Sequence, residues 1–196
     1  EFTTEEIVYD YKGDLVLETQ DDVDGCVHVT VSGNLLIGGE DSDIVDLSKL
    51  SLTSVGGSVI IKGCPLLTDF GKIATDEFVF KGYLELDNVS ASLVSRWNGD
   101  VMDLRIRNIS TGRVSLSKFA SLTKLTLQDN SCEFAGFQNL TKVTDAVLPD
   151  NQFATVADIV QMKSLKKLDL RNNPLVNVNE LADMSSLTTL DLSGSR

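Results

Sequence analysis

In the second half of the chain, apolar residues recur in a short fixed motif rather than at helical spacing. Leu122, Leu125, Leu127 and Asn130 have the spacing LxxLxLxxN, and Leu165, Leu168, Leu170 and Asn173 repeat it. Leu187, Leu190 and Leu192 begin a third copy, and Val143, Ala146, Leu148 and Asn151 form a degenerate one between the first two. Successive copies are 21, 22 and 22 residues apart, a near-constant period that marks an internal repeat. Towards the N-terminus, Val101, Leu104 and Ile106 lie 21 residues before their counterparts, and Leu84 and Leu86 lie 20 before Leu104 and Ile106.

Alternation over LxL predicts a short strand with its leucines inward and the residues between them outward. One such unit cannot bury its own leucines, so the copies must stack. An Asn in the third place after the strand is expected to turn inward and satisfy backbone groups of its own and neighbouring repeats. Asn130, Asn151 and Asn173 should therefore form a ladder. Between the strands, the stretches 156–160 and 92–97 have helical potential.

The first 80 residues are less regular. Leu15-Val16-Leu17, Leu35-Leu36-Ile37 and Val59-Ile60-Ile61 read as strands 20 to 24 residues apart, with Cys64 in the closing position of the third. The run Cys26-Val27-His28-Val29-Thr30-Val31 also reads as strand-like, with the side chains of 26 and 28 on one face.

These motifs resemble the leucine-rich repeat family, specifically from about residue 80 to the end. The copy Leu168–Leu192 is similar to its short-repeat subclass, and the runs Gly25–Ile37 and Leu50–Phe70 are similar to receptor L domains and related cell-wall surface proteins. The resemblance implies an α/β fold, a right-handed solenoid with a parallel β-sheet on its concave face and short helices or irregular turns on the convex face. A pectate-lyase type of β-helix has a similar repeat length, but the Leu-rich motif and the helical stretches weigh against it. One continuous domain is expected: a cap over 1–30, irregular coils over 31–80, and regular repeats over 81–196 with an open C-terminal end. That end points to a truncated ectodomain or a longer array. The start at Glu1-Phe2 has no basic or apolar leader, so any signal peptide is expected to be already removed or outside this sequence, and Glu1-Phe2 equally reads as a cloning scar.

Charge narrows the partners. With 17 Lys and Arg against 29 Asp and Glu, the net charge is −12, which repels nucleic acid and anionic lipid. There is no apolar run long enough to span a bilayer, so no direct membrane insertion is expected. A protein or peptide ligand remains the expected partner, and homodimerisation through the sheet face or the exposed last coil is left open.

The outward strand positions supply the candidate site. One column runs Ile60, Glu85, Arg105, Thr126, Val147, Asp169 and Asp191. The next runs Lys62, Asp87, Arg107, Gln128, Pro149, Arg171 and Ser193. Ligand contacts are assigned to Tyr83, Glu85, Arg105, Arg107, Thr126, Gln128, Asp169 and Arg171, a mixed-charge face suited to a complementary partner. Basic clusters are expected at Arg105, Arg107 and Lys124, and again at Lys166, Lys167 and Arg171.

Catalysis finds little footing. His28 is the single histidine, no nucleophile motif surrounds it, and no cofactor or metal is expected. Of the cysteines, Cys26 and Cys64 are the candidate disulfide pair, although Cys64 also reads as a buried repeat residue, and Cys132 is expected in a partly exposed turn. Sequons at Asn88, Asn108 and Asn139 are candidate glycosylation sites, the first two at the same repeat phase on one rim. An extracellular or cell-surface recognition module follows as the leading reading. An intracellular scaffold resembling phosphatase regulators is the alternative, and a β-helix polysaccharide lyase comes third.

Overall fold

The computed structural model describes residues 9–40 and 42–195. The motif strands form a nine-stranded sheet in which spatial order follows chain order. They are β1 (Leu15–Leu17), β2 (Leu35–Gly38), β3 (Val59–Lys62), β4 (Leu84–Asp87) and β5 (Asp103–Arg107). They continue as β6 (Lys124–Gln128), β7 (Asp145–Val147), β8 (Lys167–Asp169) and β9 (Thr189–Asp191). Every pairing is parallel. Leu15, Leu35, Val59, Leu84, Leu104, Leu125, Ala146, Leu168 and Leu190 stand opposite one another, in steps of 20 to 25 residues.

That register explains the motif. The first inner column is buried from Leu15 to Leu168, as is the second from Leu17 through Ile37, Ile61, Leu86, Ile106, Leu127 and Leu148 to Leu170. Each fully buried aliphatic side chain is worth about 1.5–3 kcal/mol relative to exposure, so stacking the strands is what stabilises them. Across the core, the returning segments add a four-stranded parallel sheet (Asp10–Tyr11, Thr30–Val31, Ser54–Val55, Val79–Phe80). A parallel pair, Arg113–Ser115 with Glu133–Ala135, follows in the later repeats. Helices are few and short: Gln20–Gly25, Ala91–Val94, and 3-10 turns such as Ile159–Gln161. The last two overlap the stretches of expected helical potential. The fold is thus α/β with parallel sheets. Trp97, Phe119 and Phe137 fill the core between the layers.

At or just past the end of eight of the nine strands, one residue takes a left-handed backbone conformation. Gly38, Gly63, Asn88, Asn108, Asp129, Asp150, Asn172 and Gly194 all have φ between 51° and 83°. Gly, Asn and Asp are the residues that tolerate this region at least cost. Glycine is required at Gly38, because a Cβ there would collide with the Lys62 carbonyl and the Cys64 sulfur.

Two local expectations are corrected. Residues 20–25 form a helix, started by a capping box between Thr19 and Asp22. Cys26 caps its C-terminus, donating its N–H to the Val23 carbonyl, and the strand begins only at Thr30. Cys26 and His28 therefore share no strand face. Cys132 is buried at 6% exposure instead of lying in a partly exposed turn, because it sits among the apolar residues that follow β6.

Candidate binding surface

The outward face of the nine-stranded sheet is built by the alternate positions of each strand. Ile60, Glu85, Arg105, Thr126, Val147, Asp169 and Asp191 stand in one register-matched column. Lys62, Asp87, Arg107 and Gln128 make the adjacent column. The sequence-derived columns are therefore neighbours in space. All eight assigned contact residues belong to this face or, for Tyr83 and Arg171, directly flank its strands.

Three interactions organise it. The Arg105 guanidinium carbon lies 3.5 Å from the centroid of the Tyr83 ring, a cation–π contact. Arg105 Nε also lies 3.5 Å from Asp103, and Glu85 is its directly opposed neighbour on β4. At the other end, Arg171 donates to Asp169 through Nε at 2.9 and 3.0 Å and through Nη2 at 2.7 Å. Asp191 lies 3.7 Å from the same guanidinium. The hydrogen bond to Asp169 leads in holding the Arg171 pKa above its ordinary value.

A third column alternates in sign, with Asp103, Lys124, Asp145 and Lys167 opposite one another on β5 to β8. Lys167 lies 3.5 Å from Asp145. The carboxyl of Asp145 is held below its ordinary range, chiefly by the Thr144 hydroxyl, which donates to it at 2.7 Å. The two expected basic clusters are consequently interleaved with carboxylates. Arg107 stands opposite Asp87, and its Nε is enclosed with no hydrogen-bond partner among the described residues.

The sequence columns began at Ile60 and missed two members. Val16 on β1 and Leu36 on β2 continue the central column, register-matched to each other and to Ile60. Their signal was present: the first three strands read LVL, LLI and VII, apolar at every position, whereas later ones read LEL, LRI and LTL. In the central column the outward residue is thus apolar on β1 to β3, whereas on the later strands Glu85, Arg105, Asp169 and Asp191 are charged, with Thr126 and Val147 between them.

An open cleft of about 500 Å³ lies at the ends of β3 and β4, lined by Glu40, Lys62, Asp87, Asn88 and Asn108 among others. Asn88 and Asn108 are both exposed there, and each takes a left-handed backbone conformation. Asn108 donates its side-chain amide to Asp87 at 2.7 Å. Asn139 is exposed in a separate 3-10 turn, Phe137–Asn139.

The cysteine pairing is not formed: Cys26, Cys64 and Cys132 are free thiols. Cys64 is enclosed beneath the β3 end, its sulfur 3.3 Å from the Lys62 carbonyl and 3.7 Å from the Ser42 hydroxyl. Burial raises the Cys64 thiol pKa and pushes that of Cys132 up to about 11. His28 stacks edge-on against Tyr11 with ring centroids 4.9 Å apart. Among the described residues, no group of three or more His, Cys, Asp or Glu side chains is arranged to hold a metal ion. No helix there is long and apolar enough to cross a membrane. Set against protein-family models and curated proteins, the chain finds no match.

Proposed function

We propose that the chain is a leucine-rich repeat recognition module, a right-handed solenoid whose nine-stranded sheet forms the concave face. On this reading it belongs to the ectodomain of a cell-surface receptor or adhesion protein and binds a protein or peptide partner. The observation that supports it best is the register-matched outward face, where the Tyr83–Arg105 stack and the Asp169–Arg171 pair hold charged groups in fixed positions. Such pre-ordered groups lose little entropy on binding and select a partner by charge complementarity. The exposed sequons at Asn88 and Asn108 support an extracellular setting. The test is a screen against displayed extracellular proteins, repeated with Arg105→Glu and Arg171→Glu. A partner whose affinity falls about tenfold in either variant is the expected result; a partner indifferent to both places recognition elsewhere.

The intracellular scaffold reading draws its support from the three free thiols. Intact mass of the native protein, before and after glycan removal and thiol labelling, separates the two. Attached glycan supports the ectodomain, and an unmodified chain with three labelled thiols supports the scaffold.

A further inference from the structure

The strands of a sheet are apolar on both faces when both faces are covered. β1, β2 and β3 have that composition, yet Val16 is 49% exposed and Leu36 and Ile60 are only half-buried. The three stand directly side by side on adjacent strands. Elsewhere on the central column an apolar residue stands alone: Val147 has Thr126 and Asp169 as its neighbours. The apolar composition is therefore concentrated in one place.

The surround of this patch is acidic. Asp14 and Glu18 occupy the outward positions flanking Val16, and both are exposed. On the next strand Glu85 stands opposite Ile60, and Asp87 stands opposite Lys62. Glu40 joins Lys62 and Asp87 in the cleft at the strand ends. Among the described residues five carboxylates thus surround the patch against two nearby cations, Lys62 beside it and Arg107 opposite Asp87, since Arg105 is engaged with Asp103 and Tyr83.

Charge selects the occupant. A second copy of this chain would bring the same acidic surround and a net charge of −12 against its like. The first eight residues of the chain carry Glu1, Glu5 and Glu6 and no cation, so they share the sign of the surface. We propose that the β1–β3 face docks a partner segment with an aliphatic centre flanked by lysine or arginine, the aliphatic side chains covering Val16, Leu36 and Ile60 and the cations meeting the surrounding carboxylates. This deepens the recognition reading and rests on it, because it assigns one end of the same face to one class of ligand.

The experiment uses the whole chain and two fluorescent synthetic peptides, each with a Leu-Val-Leu-Val centre, one flanked by two lysines at each end and the other by two glutamates. Fluorescence anisotropy is expected to show binding of the lysine peptide alone. Ile60→Asp and, as an independent check, Val16→Asp add negative charge while removing apolar contact. Both should weaken binding about tenfold, with circular dichroism unchanged, and Lys163→Glu, at an exposed residue outside the sheet face, should leave it unaltered. Equal or tighter binding by both Asp variants would show attraction by charge alone and overturn the proposal. So would equal binding of the glutamate peptide, a Kd for the lysine peptide weaker than about 1 mM, or sedimentation showing a dimer that Ile60→Asp dissociates. If Arg171→Glu weakens binding and the Asp variants do not, this site fails while the recognition face stands. If no variant on the face matters, both fail.

Discussion

Asn130 donates its side-chain amide to the side-chain oxygen of Asn151 at 3.0 Å, and both residues are almost fully buried. The same Asn151 oxygen accepts the backbone N–H of Asn130, while its amide reaches the carbonyls of Leu127, Leu148 and Pro149 at 2.8 to 3.0 Å. Asn173 repeats this one strand on, towards Leu148, Leu170 and Arg171. Truncating Asn151 would leave several buried backbone groups unpaired, each costing about 1–3 kcal/mol. Asn151→Ala should therefore lower stability by about 3 kcal/mol or more, read as a fall in urea midpoint at unchanged slope. Asn88→Ala, at an exposed side chain, should cost far less; equal losses would mean that the ladder is not what holds the turns.

Gly38 supplies the matching constraint in the early repeats, where no buried asparagine closes the turn. Its φ of 83° and the closeness of the Lys62 carbonyl and Cys64 sulfur leave no room for a methyl group. Gly38→Ala combines left-handed strain with a backbone collision and should destabilise by about 2 kcal/mol or more. Gly25→Ala, where added carbon meets nothing within 4 Å, is the control. A thermal melt in which Gly38→Ala loses no more than Gly25→Ala would refute the close packing beneath β2.

Much of the main sheet was legible because period-2 alternation and a near-constant repeat length report the same fact twice. Leu125 and Leu127 mark the strand, and Asn130 marks the turn that follows it. The outward columns were legible too, since fixing one register fixes all outward positions. The returning strands were not. Ser54–Val55 and Val79–Phe80 are two residues long, too short for alternation to speak. The Gln20–Gly25 helix was hidden in an acidic stretch with one buried apolar residue, Val23, and only the Thr19–Asp22 capping pair could have revealed it. Val16 and Leu36 were overlooked because their strands were read for inward positions only.

The three thiols should differ in reactivity. Cys26 is partly exposed at the end of its helix, whereas Cys64 and Cys132 are buried, with their thiols held in the neutral form by burial. The thiolate is the reactive species, so burial slows both access and chemistry. Alkylation at pH about 8, followed by peptide mass analysis, should label Cys26 first. Cys64 and Cys132 should react only once urea unfolds the chain. Labelling of Cys132 as fast as Cys26 in the native protein would place its sulfur at the surface and overturn the packing described after β6.

Acid should loosen the later repeats through the strand-end carboxylates. Asp145 is held below its ordinary pKa first by the Thr144 hydroxyl and then by Lys167, while Asp191 is lowered chiefly by hydrogen bonds from Ser193. A group whose folded pKa is depressed contributes stability that is present above its unfolded value and lost as pH falls through the folded one. The loss should therefore begin near pH of about 4 and deepen below it, with no contribution from these groups to any change between neutral pH and that point. Thr144→Val removes the leading cause without touching charge. Carboxyl NMR titration should then show Asp145 moving up towards its ordinary value, and the acid limb of the stability curve should flatten. If Asp145 titrates unchanged in Thr144→Val, the hydroxyl is not what holds the carboxylate, and Lys167→Met would be the variant expected to shift it.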